Sequence, residues 1–108
     1  DRSKDMLIVG GYKVFSVEVE NALKAMDEID LSAVIGKPDA ERAGNDQVNL
    51  YVQLSAEAQS QPQDQVKERI MAFCREHLAP YKVPKQIHVI DEIPLTPVGK
   101  VDKKALRN

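Results

Sequence analysis

The stretch Val48-Asn-Leu-Tyr-Val-Gln-Leu54 alternates strictly between apolar Val48, Leu50, Val52 and Leu54 and the intervening Asn49, Tyr51 and Gln53. A period of two is the signature of a strand, here with one face packed inward and the other facing a wetter environment. Upstream, polar residues from Asp39 to Asp46 lead back to Leu31-Ser-Ala-Val-Ile35, a short apolar run closed by Gly36-Lys-Pro38, which reads as a buried strand. Downstream, the Gln- and Ala-rich Ser55 to Gln65 reads as a solvated loop. Val66, Ile70, Phe73, Cys74 and His77 then trace one helical face until Pro80 forbids continuation. Lys85 to Ile90 reads as a further strand.

Farther out, Met6 to Val9 and Tyr12 to Val14 flank Gly10-Gly11, and a Gly-Gly pair supplies the positive φ angles of a two-residue hairpin turn. This predicts a β-ribbon. Ser16 is placed to cap a helix from Val17 to Met26, with Glu18 and Glu20 near its positive end and Val19, Ala22, Leu23 and Met26 at helical spacing. At the other end, Asp91 to Gly99 is a Pro-punctuated loop, after which Asp102 caps a short helix from Lys103 to Arg107. The order is β-β-α-β-β-α-β-α: an α+β domain in which a β-ribbon is followed by a small, about three-stranded sheet covered by two to three helices.

A chain of 108 residues makes one small domain with a single core, too small to enclose a deep pocket between subdomains. Its chemistry therefore calls for a partner surface. With 43% hydrophobic and 30% charged residues the composition is globular, and a net charge of −2 gives no overall pull toward nucleic acid or anionic membrane. The single Cys74 cannot form an internal disulfide, and neither a signal peptide nor an apolar run of membrane-spanning length is present, which predicts a cytoplasmic protein without a transmembrane segment. The start at Asp1, without Met, suggests a segment of a longer protein.

The most unusual segment is Ile93-Pro-Leu-Thr-Pro-Val-Gly-Lys100-Val-Asp-Lys-Lys-Ala-Leu106. Pro94 and Pro97 stiffen the approach, Thr96 lies between them, and Gly99 can adopt angles closed to other residues, so that Lys100 is presented outward at the tip. Two readings stay open on these residues alone. One is a functional cation; the other is an ordinary turn with Lys100, Lys103 and Lys104 as a solvated basic end.

PLTPVGKVDKKALR resembles the final core motif of acyl-CoA and aryl-CoA ligases, luciferases and peptide-synthetase adenylation domains, the adenylate-forming superfamily. DRSKDMLIVGGYKVFSVEVE independently resembles that superfamily's hinge motif, and the two stand in the family's order at opposite ends of the chain. The resemblance implies that residues 1–108 are the mobile C-terminal lid domain of an acid:CoA ligase whose large N-terminal domain is absent. It implies ATP, Mg²⁺ and CoA as cofactors of the complete enzyme, a carboxylic acid as substrate, the enzyme's own N-terminal domain as partner, and no nucleic acid. Nothing is expected bound to the chain alone, which is expected to be inactive.

Carried over by position, the resemblance makes Lys100 the catalytic residue of adenylation, supported by Pro94, Thr96, Pro97 and Gly99. It makes Arg2 a ligand of the nucleotide ribose, Lys4 the hinge, and Gly10 and Gly11 part of the tunnel for the CoA pantetheine. The spacing from Pro94 to Gly99-Lys100 also resembles the recognition site of lysine acetyltransferases, which makes such an enzyme a partner at Lys100. The alternatives are a peptide-synthetase adenylation domain serving a carrier protein, and a small phosphate- or RNA-binding α+β module. Few aromatics and the negative charge speak against RNA. His77 and His88 lack neighbouring ligands and are read as surface or packing residues, Cys74 as inert packing, and no metal site is expected.

Overall fold

The alternating run becomes the middle strand of a three-stranded sheet. The computed structural model describes residues 6–38, 40–41 and 44–107. A ribbon of β1 (Met6–Val9) and β2 (Tyr12–Phe15) leads into α1 (Ser16–Leu23), β3 (Ile29–Pro38), β4 (Asp46–Leu54), the single turn α2 (Ala56–Gln59), α3 (Gln63–His77), a 3-10 turn at Pro80–Lys82, β5 (Gln86–Ile90) and α4 (Lys103–Arg107). The sheet order is β3-β4-β5, with β3 antiparallel and β5 parallel to β4. Parallel neighbours need a long crossover, and α3 supplies it.

Leu50, Val52 and Leu54 pack with Val34 and Ile87 beneath Val19 and Leu23 of α1 and Val66, Ile70 and Cys74 of α3. The other face is not wet. Ala33, Ile35 and Tyr51 form a second cluster with Ile93, flanked by Leu31, Ile90, Val101 and Leu106. Asn49 on this face is only 2% exposed, and its Oδ1 lies 3.0 Å from His88 Nε2. The chain beyond β5 folds back as cover, so the sheet has partial layers on both sides rather than one.

Three local expectations are revised. Ser16 is the first helical residue and not the cap; Phe15 holds the cap position without a side-chain bond. The first helix stops at Leu23 because Lys24, Ala25 and Met26 bond back three residues, to Asn21, Ala22 and Leu23, in a tightened final turn. The presumed loop after β4 contains α2, capped where Ser55 Oγ accepts the Ala58 N–H at 3.3 Å, with Ala58 buried. The ribbon seats on the sheet through Leu7, and Ile8 N–H donates to the Asp46 carboxylate at 3.0 Å. Gly36 is required there: a Cβ on it would lie 2.7 Å from Leu7 Cγ.

Candidate functional site

The segment 94–102 is a hairpin. Gly99 N–H donates to the Thr96 carbonyl at 2.8 Å, closing a β-turn with Pro97 at its second position. Pro97 sets φ there and needs no donor, while Gly99 takes φ +86°, the left-handed conformation that follows the turn in three-residue hairpin loops. Thr96 N–H donates to the Lys100 carbonyl at 2.7 Å, Thr96 Oγ1 accepts the Lys100 N–H at 3.2 Å, and Leu95 pairs with Val101. Pro94 closes the stem by accepting the Asp102 N–H at 2.8 Å.

Lys100 thus stands on the outgoing strand opposite Thr96. The tip is Pro97-Val98, with Val98 79% exposed. Lys100 is exposed, and among the described residues nothing binds its ammonium group. Pro94, Thr96 and Gly99 enter the hairpin through the bonds just given, and Pro97 through its place in the turn.

Both stems of the hairpin are tied to the domain. On the incoming side Ile93 is buried and its N–H donates to Gln53 Oε1 at 2.8 Å, while Gln53 Nε2 donates to Asp30 at 3.0 Å. On the outgoing side Asp102 caps α4, accepting the Ala105 N–H at 3.1 Å. Lys103 Nζ lies 2.9 Å from Glu20 Oε2 and donates to Ser16 Oγ at 2.9 Å. Lys103 is therefore no part of a solvated basic end, which corrects that reading. Its partners lie more than eighty positions upstream, and no local spacing announces them.

The glycine turn forms as expected. Gly10 (φ +57°) and Gly11 (φ +86°) connect the ribbon strands, and a Cβ on either would meet nothing within 4 Å. Beside the turn, Tyr12 stacks on Tyr81 with centroids 4.5 Å apart. The groove bordered by Gly10 is lined by Asn45, Asp46, Tyr81 and Lys85 and by no residue of the Lys100 hairpin, so the two candidate regions are separate on the surface. Arg2 and Lys4 lie outside the described residues.

His88 stacks on Tyr51 with centroids 4.6 Å apart, and its pKa is lowered by burial first and then by Lys37 and Lys67. His77 packs on Phe73. Burial pushes the Cys74 thiol up to about 11. Among the described residues no three His, Cys, Asp or Glu side chains gather to hold a metal, and no helix is long and apolar enough to cross a membrane.

The model of the AMP-binding enzyme C-terminal domain family matches residues 18–100, from the first turn of α1 to Lys100. The chain belongs to this family. Within the C-terminal domain family it is 44% identical over 107 residues to an indenyl-propanoyl:CoA ligase of Rhodococcus jostii (strain RHA1), covering 99% of this chain and 19% of that protein. Its fold superposes with a TM-score of 0.85 on the anthranilate CoA ligase AuaEII in complex with anthranoyl-AMP, at 36% identity over 97% of this chain and 20% of the other. With the amide bond synthetase McbA from Marinactinospora thermotolerans the TM-score is 0.81, at 34% identity over 99% of this chain and 21% of the other. The chain thus spans about a fifth of the length of the relatives it matches.

Proposed function

We propose that this chain is the mobile C-terminal domain of an ATP-dependent acid:CoA ligase, and that Lys100 is the residue it delivers to the adenylation site. The observation that carries the reading is the hairpin. Two prolines and a left-handed glycine hold an exposed lysine, unengaged among the described residues, in a domain whose family model ends on that lysine.

The chemistry explains why a lysine belongs there. A carboxylate oxygen attacks the α-phosphorus of ATP, a P–O bond forms to give the acyl-adenylate, and diphosphate leaves. Two anions must approach, and charge builds on the phosphoryl oxygens. A compact ammonium between them therefore acts mainly at the transition state. At about 4 Å and an effective dielectric of about 20, one such contact is worth on the order of 4 kcal/mol. Mg²⁺, when bound, would neutralise phosphate charge; the reading assigns it to the N-terminal domain, and among the described residues no three His, Cys, Asp or Glu side chains gather to hold it.

The remaining roles follow from the same reading. Arg2 holds the ribose, Lys4 is the hinge, and after rotation the Gly10-Gly11 turn lines the path of the pantetheine thiol, where missing side chains leave the passage wide. Acetylation of Lys100 by a lysine acetyltransferase would remove the charge on which adenylation depends. The complete enzyme would work in the cytoplasm. Similarity to an amide bond synthetase favours a second reading, in which the same adenylate passes to an amine.

The test is to express the complete protein and supply ATP, Mg²⁺, CoA and a panel of carboxylic acids. Acid-dependent release of AMP with formation of acyl-CoA is the expected result. Amide formation without thioester would favour the second reading, and no acid-dependent AMP from any member would overturn both.

A further inference from the structure

The bonds inside the 94–102 hairpin fix its shape but not its direction. Direction is set where the stems meet the domain. The apolar contacts of Ile93 and Val101 hold the stems down without orienting them, because hydrophobic attraction is non-directional, and the incoming stem has one directional tie, the Ile93 N–H to Gln53 Oε1 bond. The contact of Lys103 is different in kind. Its Nζ meets Glu20 Oε2 and Ser16 Oγ, each at 2.9 Å, and it lies three residues after Lys100. Glu20 is itself immobilised, since the same Oε2 accepts the Val34 N–H of edge strand β3 at 2.8 Å. Ser16 is fully buried, and the side chains of Lys103 and Glu20 are 16% and 18% exposed. A pair so placed is a poor device for stability, because apolar residues of similar volume serve as well or better. It adds a fixed angle between the hairpin, α1 and β3.

We infer that Glu20 and Lys103 are positioning residues for Lys100, their ion pair setting the direction in which the hairpin leaves the domain. This rests on the reading of Lys100 as the adenylation residue. Charge-assisted bonds have short, narrow geometry, and displacing a reacting group by about 1 Å can cost about a hundredfold in rate.

The experiment compares Lys103→Met, Lys103→Arg, Glu20→Gln and Lys100→Ala in the complete enzyme, in two half-reactions and by amide hydrogen exchange. Lys103→Met is expected to slow acyl-adenylate formation about a hundredfold with little change in KM for ATP, and to leave thioester formation from supplied acyl-adenylate within about threefold. Lys103→Arg should recover much of the loss. Glu20→Gln keeps an acceptor for the Val34 N–H, so it tests the pair even where Lys103→Met folds poorly. Exchange should quicken at Thr96, Gly99 and Lys100 and stay unchanged in α3. A purely structural role would depress both half-reactions together and speed exchange in the core as well. That outcome, or normal adenylation in both Lys103→Met and Glu20→Gln while Lys100→Ala is crippled, overturns the inference alone. Normal adenylation in Lys100→Ala would instead strike the reading beneath it.

Discussion

Replacing Gly99 by alanine probes whether the shape of the hairpin, and not only its charge, matters to adenylation. Gly99 sits at φ +86°, yet a Cβ built on it meets no atom within 4 Å. The cost of Gly99→Ala is therefore conformational rather than steric crowding, about 1–2 kcal/mol for a left-handed L-residue. A penalty of that size lowers the population of the native turn about five- to thirtyfold. The turn is exposed and peripheral, so the global unfolding transition should barely move while acyl-adenylate formation in the complete enzyme falls by the same factor. A D-alanine at position 99, introduced by peptide ligation, adds the same methyl group but prefers positive φ, and should restore the rate. Wild-type adenylation in Gly99→Ala, or equal losses with L- and D-alanine, would refute the reasoning.

Gly11→Leu meets no atom within 4 Å but carries the same left-handed penalty as Gly99→Ala, about 1–2 kcal/mol, and should slow thioester formation more than adenylation in single-turnover assays; the reverse ranking would count against the tunnel role. Gly36→Ala places a methyl carbon 2.7 Å from Leu7 Cγ and should cost about 1–3 kcal/mol in urea denaturation. Adding Leu7→Ala removes the colliding atoms, so the pair should be less than additive, and full additivity would deny the contact. The Cys74 thiol, raised from 9.0 to about 11, stabilises the fold fully below pH 9 and loses that contribution as pH climbs through 11. Wild type should lose on the order of 3 kcal/mol more than Cys74→Ala between pH 8 and pH 11.5, and parallel profiles would contradict this.

What could be read from the sequence was local. Gly10-Gly11 specifies its turn through two positive φ angles, Asp102 caps α4 through its own side chain, and Val48 to Leu54 declare a strand by alternation. The candidate loop was likewise legible from Pro97 and Gly99, although the lysine stands one step past the turn instead of on its tip. Long-range events were hidden. Tyr51 and Asn49 look solvent-facing because what covers them is distant in sequence: Ile93 packs on Tyr51 with Val101 and Leu106 flanking, and His88 bonds Asn49. Ser16 reads as a cap because serine commonly is one, and its burial against Lys103 depends on a partner 87 positions away. In α2, the short stretch 56–59 is too brief for a helical pattern to rise above its Gln-rich surroundings.

The central claim is that Lys100 serves adenylation and only adenylation. The most direct measurement is single-turnover kinetics of Lys100→Ala in the complete enzyme, following acyl-adenylate formation from acid and ATP and, separately, thioester formation from supplied acyl-adenylate and CoA. The loss of one close ionic contact predicts a fall of roughly a thousandfold in the first step, with the second step left largely intact. Equal losses in both steps, or an unchanged first step, would contradict the account.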